Sequence, residues 1–149
     1  MSNIKYKINF AKEADISHHL FECDTQFSPL LSSYVDIDNY VEKIKNNALT
    51  IEAWHNNKLI GLVACYANDI KLIEAYITNV SVLGTYSKKG IASNLLDSCI
   101  RLIQKKGFKS ISLEVKNENS QAISLYEKRG FTEKQITSNG SVLMQIVLS

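Results

Sequence analysis

Tyr86 to Leu96 read Y-S-K-K-G-I-A-S-N-L-L; they follow an apolar, strand-like run and open a helix. A helix N-terminus offers unpaired N–H groups and the positive end of the helix dipole, which together hold a phosphate anion. Gly90 and Ala92 keep side chains out of the approach path, Ile91 and Ser93 contribute further first-turn amides, and Lys88 and Lys89 add charge beside them. A phosphate-bearing cofactor is the expectation this raises; an ordinary strand-to-helix turn with solvated lysines is the plainer alternative. The commoner phosphate loops fit worse. A Walker-type loop needs Gly, four residues and then Gly-Lys-Ser/Thr, whereas Gly84 and Gly90 are too far apart and Ile91 follows the second glycine. The dinucleotide fingerprint needs three spaced glycines, and only Gly90 with Ala92 is on offer.

Asn117 to Phe131, N-E-N-S-Q-A-I-S-L-Y-E-K-R-G-F, stands directly after the β-rich run Ser110 to Val115. Together the two segments resemble the GNAT superfamily of acyl-CoA-dependent N-acetyltransferases, with its [QR]-x-x-G-x-[GA] pyrophosphate loop and, further along, an N-x-x-A-x-x-L-Y-x-x-x-G-F helix. Asn119, Ala122, Leu125, Tyr126, Gly130 and Phe131 all fall in place in the second motif. In the first, Ser87 stands where the family prefers Gln or Arg, which alters one side-chain contact and leaves the backbone cradle possible. The resemblance runs from Ile73 to Phe131 and fades before it, in the part that normally selects the substrate. It implies acetyl-CoA as cosubstrate.

The chain has 149 residues, enough for a single domain that buries roughly two thirds of the surface its unfolded form exposes. Lys and Arg number 17 against 15 Asp and Glu, and a net charge of +2 gives no reason to invoke nucleic acid or an anionic membrane. Cys23, Cys65 and Cys99 are odd in number and dispersed, without zinc-ligand spacing, which predicts reduced, buried thiols and no metal site. The start, M-S-N-I-K-Y-K, lacks the apolar core of a signal peptide, and no run approaches the roughly 18 apolar residues of a membrane span. A cytoplasmic location is expected.

Ile4, Tyr6, Ile8 and Phe10 alternate with polar residues as in a half-buried strand, and Ile16, Leu20 and Cys23 stripe a helix from Glu13 to Cys23. The stretch Asp24 to Val35 holds the only proline, Pro29, among Phe27, Leu30, Leu31 and Tyr34. So apolar a loop should pack over something or line a pocket, which makes Phe27 and Tyr34 substrate-binding candidates. Asp36 is placed to cap a helix from Ile37 to Asn46, and Leu49 to Trp54 with Lys58 to Ala67 read as a hairpin about Asn56-Asn57. A strand over Ile73 to Leu83, a helix over Lys89 to Lys106, a strand over Ser110 to Val115, a helix over Ser120 to Arg129 and a closing hairpin about Asn139-Gly140 complete the order. The fold class expected is α+β: a GNAT-like mixed, largely antiparallel twisted sheet of about seven strands with helices on both faces and a splayed, bulged central strand.

That bulge is legible. Ala75 and Ile77 sit on odd positions and Val80 and Val82 on even ones, so an extra residue near Thr78 and Asn79 would restore one buried face. Resemblance to the family implies that the equivalent strand splays from its parallel neighbour, with backbone groups of Val80, Ser81 and Val82 pairing with the pantetheine arm and polarising the thioester. It also implies Tyr126 as the acid that protonates the leaving thiolate, a role its ordinary pKa near 10 suits, and Asn119 as both helix cap and cofactor contact. Tyr76 occupies the position of the glutamate base of histone-type members; it is assigned with Asn79 to the substrate side. Glu74, two residues earlier on the same strand face, is the candidate base through a water, against the commoner reading of an exposed glutamate at a strand start. His18, His19 and His55 show no partner, and Trp54 reads as core.

The primary expectation is an N-acetyltransferase acting on a small-molecule amine by direct attack. The alternatives are an acyl-CoA-binding regulatory or interaction module with weak catalysis, and a protein N-acetyltransferase. Val142 to Leu148 is apolar enough to be a free edge through which a homodimer could pair.

Overall fold

The computed structural model describes residues 3–27 and 30–148. Pro29, singled out above, lies outside them. The elements run β1 (Lys5–Ile8), α1 (Glu13–Cys23), α2 (Ile37–Asn47), β2 (Ala48–His55), β3 (Lys58–Tyr66), β4 (Glu74–Val82), α3 (Ile91–Lys105), β5 (Ser110–Lys116), α4 (Ser120–Lys128), β6 (Thr132–Ile136) and β7 (Ser141–Val147), with single 3-10 turns at Asp24–Gln26, Leu31–Ser33 and Gly84–Tyr86. The strands form one sheet in the order β1-β2-β3-β4-β5-β7-β6, antiparallel throughout except where β4 meets β5. This is the expected mixed, mostly antiparallel α+β architecture.

Local chemistry explains most boundaries. Asp36 caps α2 by accepting from the amides of Asp38 and Asn39 at 3.1 and 3.4 Å, and Ile37, Val41 and Ile44 recur at helical spacing on its buried face. Asn56 and Asn57 both take left-handed backbone angles, φ 52° and 61°, as a two-residue hairpin turn requires. Helix α3 starts at Ile91, two residues later than the periodicity predicts, because Gly90 at φ 79° lies outside helical geometry and serves as its cap.

Helices α1 and α2 pack on one face of the sheet around Leu20, Val41, Ile44 and Leu62; α3 and Tyr126 of α4 pack on the other around Val63, Ile77, Leu95 and Phe131. At Gly61 the sheet and α3 approach so closely that a Cβ would lie 3.1 Å from both Ile91 Cγ2 and Leu95 Cδ1. Trp54 is core, as expected, with its Nε1 donating to the buried Glu52 at 2.9 Å.

The β3/β4 register sets Cys65 against Ile77 and Ala64 against Asn79, leaving Thr78 as the extra residue. The bulge thus falls where the parity break in the sequence requires it. Beyond it Val80 and Val82 stand opposite Val63 and Gly61, on the same side as Ile77. One expectation is corrected: Val142 to Leu148 is not a free edge. β7 lies between β5 and β6, and the edges are β1 and β6.

Candidate active site

Parallel pairing of β4 with β5 covers only Glu74–Ile77 against Ser110–Leu113. Past the bulge the strands part, and the gap opens into a cleft of about 800 Å³. Thr78 to Val82 form one wall; Glu114, Val115 and Lys116 with Asn119, Ala122 and Tyr126 form the other, and Phe27, Leu31, Tyr34 and Tyr40 close it from the α1/α2 side. The splay exists because β5 continues its ladder with β7 while β4, bent by its bulge, stays with β3.

The backbone facing this gap can be read from the ladder. Leu83 N donates to Ile60 O at 2.9 Å, so odd-numbered residues of this stretch turn their peptide groups toward β3, and Val80 and Val82 turn theirs to the gap. Gln26 spans one end of that edge: its Nε2 donates to Val82 O at 2.9 Å and its Oε1 accepts from Gly84 N at 2.7 Å.

Of the residues singled out from sequence, Phe27, Tyr34, Tyr76, Asn79, Val80, Ser81, Val82, Asn119 and Tyr126 all line the cleft. Asn119 caps α4 by accepting from Ala122 N at 3.1 Å. Tyr126 packs edge-on against Phe131, ring centroids 6.0 Å apart, and its burial drives the phenol pKa well above its ordinary value. Burial likewise raises that of Tyr76, with the charge of Glu114 as the second cause.

Ser87, Lys88, Lys89, Gly90, Ile91, Ala92 and Ser93 lie outside the cleft lining, in the loop and first turn of α3 that follow β4. Ser87 Oγ is turned inward, donating to Gly84 O at 2.8 Å. A Cβ on Gly90 would meet nothing within 4 Å, so the space over the first-turn amides of α3 is open. This open cradle, flanked by two exposed lysines, fits a pyrophosphate.

Glu74 is placed elsewhere. It lies outside the cleft lining, and its Oε2 accepts from Ser112 Oγ at 2.5 Å and Gln145 Nε2 at 2.7 Å. Two carboxylates do line the cleft, Glu114 and Glu118, and Glu114 stands one residue past the last β4/β5 pair, where its charge reaches Tyr76. Sequence reasoning missed Glu114 because its position depends on that parallel register.

Two of the three histidines have partners, His19 and His55. His19 is buried, with Nδ1 3.1 Å from Leu59 O and Nε2 2.9 Å from the hydroxyl of the cleft residue Ser81; burial lowers its pKa to about 4. Ser81 Oγ in turn lies 2.7 Å from Asn79 Oδ1. His55 meets Tyr86 in the loop before α3.

The sequence profile of the acetyltransferase (GNAT) family matches residues 14–131. The chain belongs to the GNAT acetyltransferase family. The match takes in α1 through α4, including both walls of the cleft and the α3 cradle. Among relatives, the [ribosomal protein bS18]-alanine N-acetyltransferase of Haemophilus influenzae is 37% identical over 100 residues, 64% of this chain and 66% of that protein. The chain spans 54% of the Escherichia coli K12 protein of the same name. Among solved structures, the Escherichia coli ribosomal-protein-S18-alanine N-acetyltransferase superposes with a TM-score of 0.74 at 21% identity, covering 97% of this chain and 95% of that one. The PaiA N-acetyltransferase of Thermoplasma acidophilum in complex with coenzyme A gives 0.74 at 20% identity, covering 96% and 99%. At those identities the superpositions speak for the GNAT fold alone.

Proposed function

We propose that this chain transfers the acetyl group of acetyl-CoA to a primary amine by direct attack, and that the amine is the N-terminal α-amine of a polypeptide. The observation that carries the transfer chemistry is the gap between β4 and β5, which sets an open backbone edge at Val80 opposite Glu114 and Tyr126. Acetyl-CoA supplies an activated acyl thioester. The first-turn amides of α3 with Lys88 and Lys89 hold its pyrophosphate, and the Val80 and Val82 edge holds its amide-bearing arm and polarises the thioester carbonyl.

As the C–N bond forms and the C–S bond breaks, two protons must move. Glu114 takes the one leaving the amine nitrogen, directly or through a water, and Tyr126 gives its phenolic proton to the departing thiolate. Burial holds the phenol protonated at neutral pH and also makes it a weaker acid, so its proton passes only as the thiolate charge develops against it.

The acceptor class rests on the relatives named for a ribosomal-protein alanine and on the outer side of the cleft, where Tyr34 is 60% exposed beside the opening. A thiol-release assay with acetyl-CoA decides it. Peptides beginning with alanine are run beside free amino acids, polyamines and amino sugars; turnover confined to peptides supports the proposal, and turnover confined to small amines returns the acceptor to a metabolite. Binding of acetyl-CoA with no turnover of any amine favours a non-catalytic binding module.

A further inference from the structure

We propose that Tyr40 is a positioning residue for acyl transfer: its hydroxyl on Thr78 pins the β4 bulge, and so fixes the place of the open edge at Val80. The inference rests on the acetyltransferase reading for its catalytic part and on geometry alone for its structural part.

A bulge leaves one residue outside the ladder, and its carbonyl needs another donor. Here that residue is Thr78, and the donor comes from the opposite layer. Tyr40, on α2, places its hydroxyl 2.8 Å from Thr78 O and 2.8 Å from Thr78 Oγ1. The two hydroxyl protons have one consistent assignment. The phenol donates to the carbonyl, and the threonine hydroxyl donates back to the phenol oxygen. Burial raises the Tyr40 pKa to about 12, so the donor stays protonated across the working range of pH.

The register shows what is at stake. Loss of the bulge, a one-residue slip of register beyond Ile77, would exchange the faces of Asn79, Val80, Ser81 and Val82. Val80 would turn its peptide groups to β3, and the hydroxyl of Ser81 would leave His19. With Tyr40 on Thr78 at one end and Gln26 on Val82 at the other, Val80 is the residue of the gap edge, among those described, with no side chain on its carbonyl.

The test is Tyr40→Phe, which keeps the ring and removes the hydroxyl. Amide hydrogen exchange should quicken at Asn79 and Ser81 by roughly tenfold or more while Ile51 and Ala53 in β2 stay protected. In steady-state assays kcat should fall roughly 10- to 100-fold and KM for acetyl-CoA should rise about threefold or more, because the displaced Val80 edge also holds the cofactor arm; a merely less stable enzyme lowers apparent kcat and leaves KM in place. Thr78→Val, which removes the return donor and keeps the carbonyl, should give an intermediate effect on both, and stands in if Tyr40→Phe does not fold. Unchanged exchange at Asn79 and Ser81 overturns the pin. Faster exchange with unchanged kcat overturns the catalytic role. If the wild type neither binds acetyl-CoA nor transfers acetyl groups, the acetyltransferase reading and the catalytic role fall together, while the exchange result still decides the pin.

Discussion

The Tyr86 hydroxyl lies 2.7 Å from His55 Nδ1, and the two rings meet edge to face with centroids 5.5 Å apart. A hairpin turn on one strand pair thereby holds the loop that delivers the chain to the N-terminus of α3. His55→Ala should loosen that loop while leaving both cores intact. Loss of one such bond predicts acetyl-CoA affinity weakened about 3- to 10-fold, with little change in melting temperature, as measured by titration calorimetry.

Tyr126→Phe keeps the packing against Phe131 and removes the transferable proton. An acid that serves only the leaving thiolate matters in the transition state alone. The expected result is kcat lowered by roughly 10- to 1,000-fold with acetyl-CoA affinity nearly unchanged.

Glu114→Gln and Glu74→Gln separate the two carboxylates. If Glu114 takes the amine's proton, its replacement lowers kcat/KM roughly 10- to 100-fold at neutral pH. Glu74→Gln should leave kcat/KM nearly unchanged, because Glu74 is spent on Ser112 and Gln145 outside the cleft.

His19 predicts how stability depends on pH. In the folded chain it takes a proton only near pH 4, whereas in the unfolded chain it does so near 6.5. Between those values the unfolded state binds more protons, so stability falls as pH drops from about 6.5 toward 4 and is unaffected by this group above 6.5. His19→Gln should remove that part of the slope in melting temperature measured from pH 4 to 7.

Gln26 occupies Val82 O and Gly84 N, the backbone groups at the mouth of the gap. An amide-bearing cofactor arm must compete with it for the Val82 carbonyl. Gln26→Ala should therefore tighten coenzyme A binding about 2- to 10-fold, and weaker binding would show that the glutamine supports the arm.

The fold was legible to a high degree because its signals are local. Cap residues, the Asn56-Asn57 turn and the parity break in β4 each lie within a few neighbouring residues. The parity break put the bulge near Thr78 and Asn79, and Thr78 is the extra residue. What sequence could not show depends on distant pairings. β7 looks like an edge until β6 is found to fold back outside it, and Glu114 looks like any exposed strand residue until the β4/β5 register ends one residue before it. His19 and Ser81, 62 positions apart, become partners only when α1 is laid across the sheet. The surroundings of Glu74 were illegible for the same reason, since shared strand parity with Tyr76 does not reveal that Gln145 from β7 will bond its carboxylate.

The short union of β4 and β5 also makes the sheet mechanically two leaves. β2 and β3 are matched along eight residue pairs, but the leaf β1–β4 meets the leaf β5–β7 along only four, at the end away from the cleft. Such a seam is short for a join between two multi-stranded leaves, and a molecule bonded to the free margin of one leaf while resting against the other would act as a splint across it. Filling the gap should therefore slow exchange most in the strands that border it, and the protein's stiffness along that line becomes a report on whether its cleft is loaded.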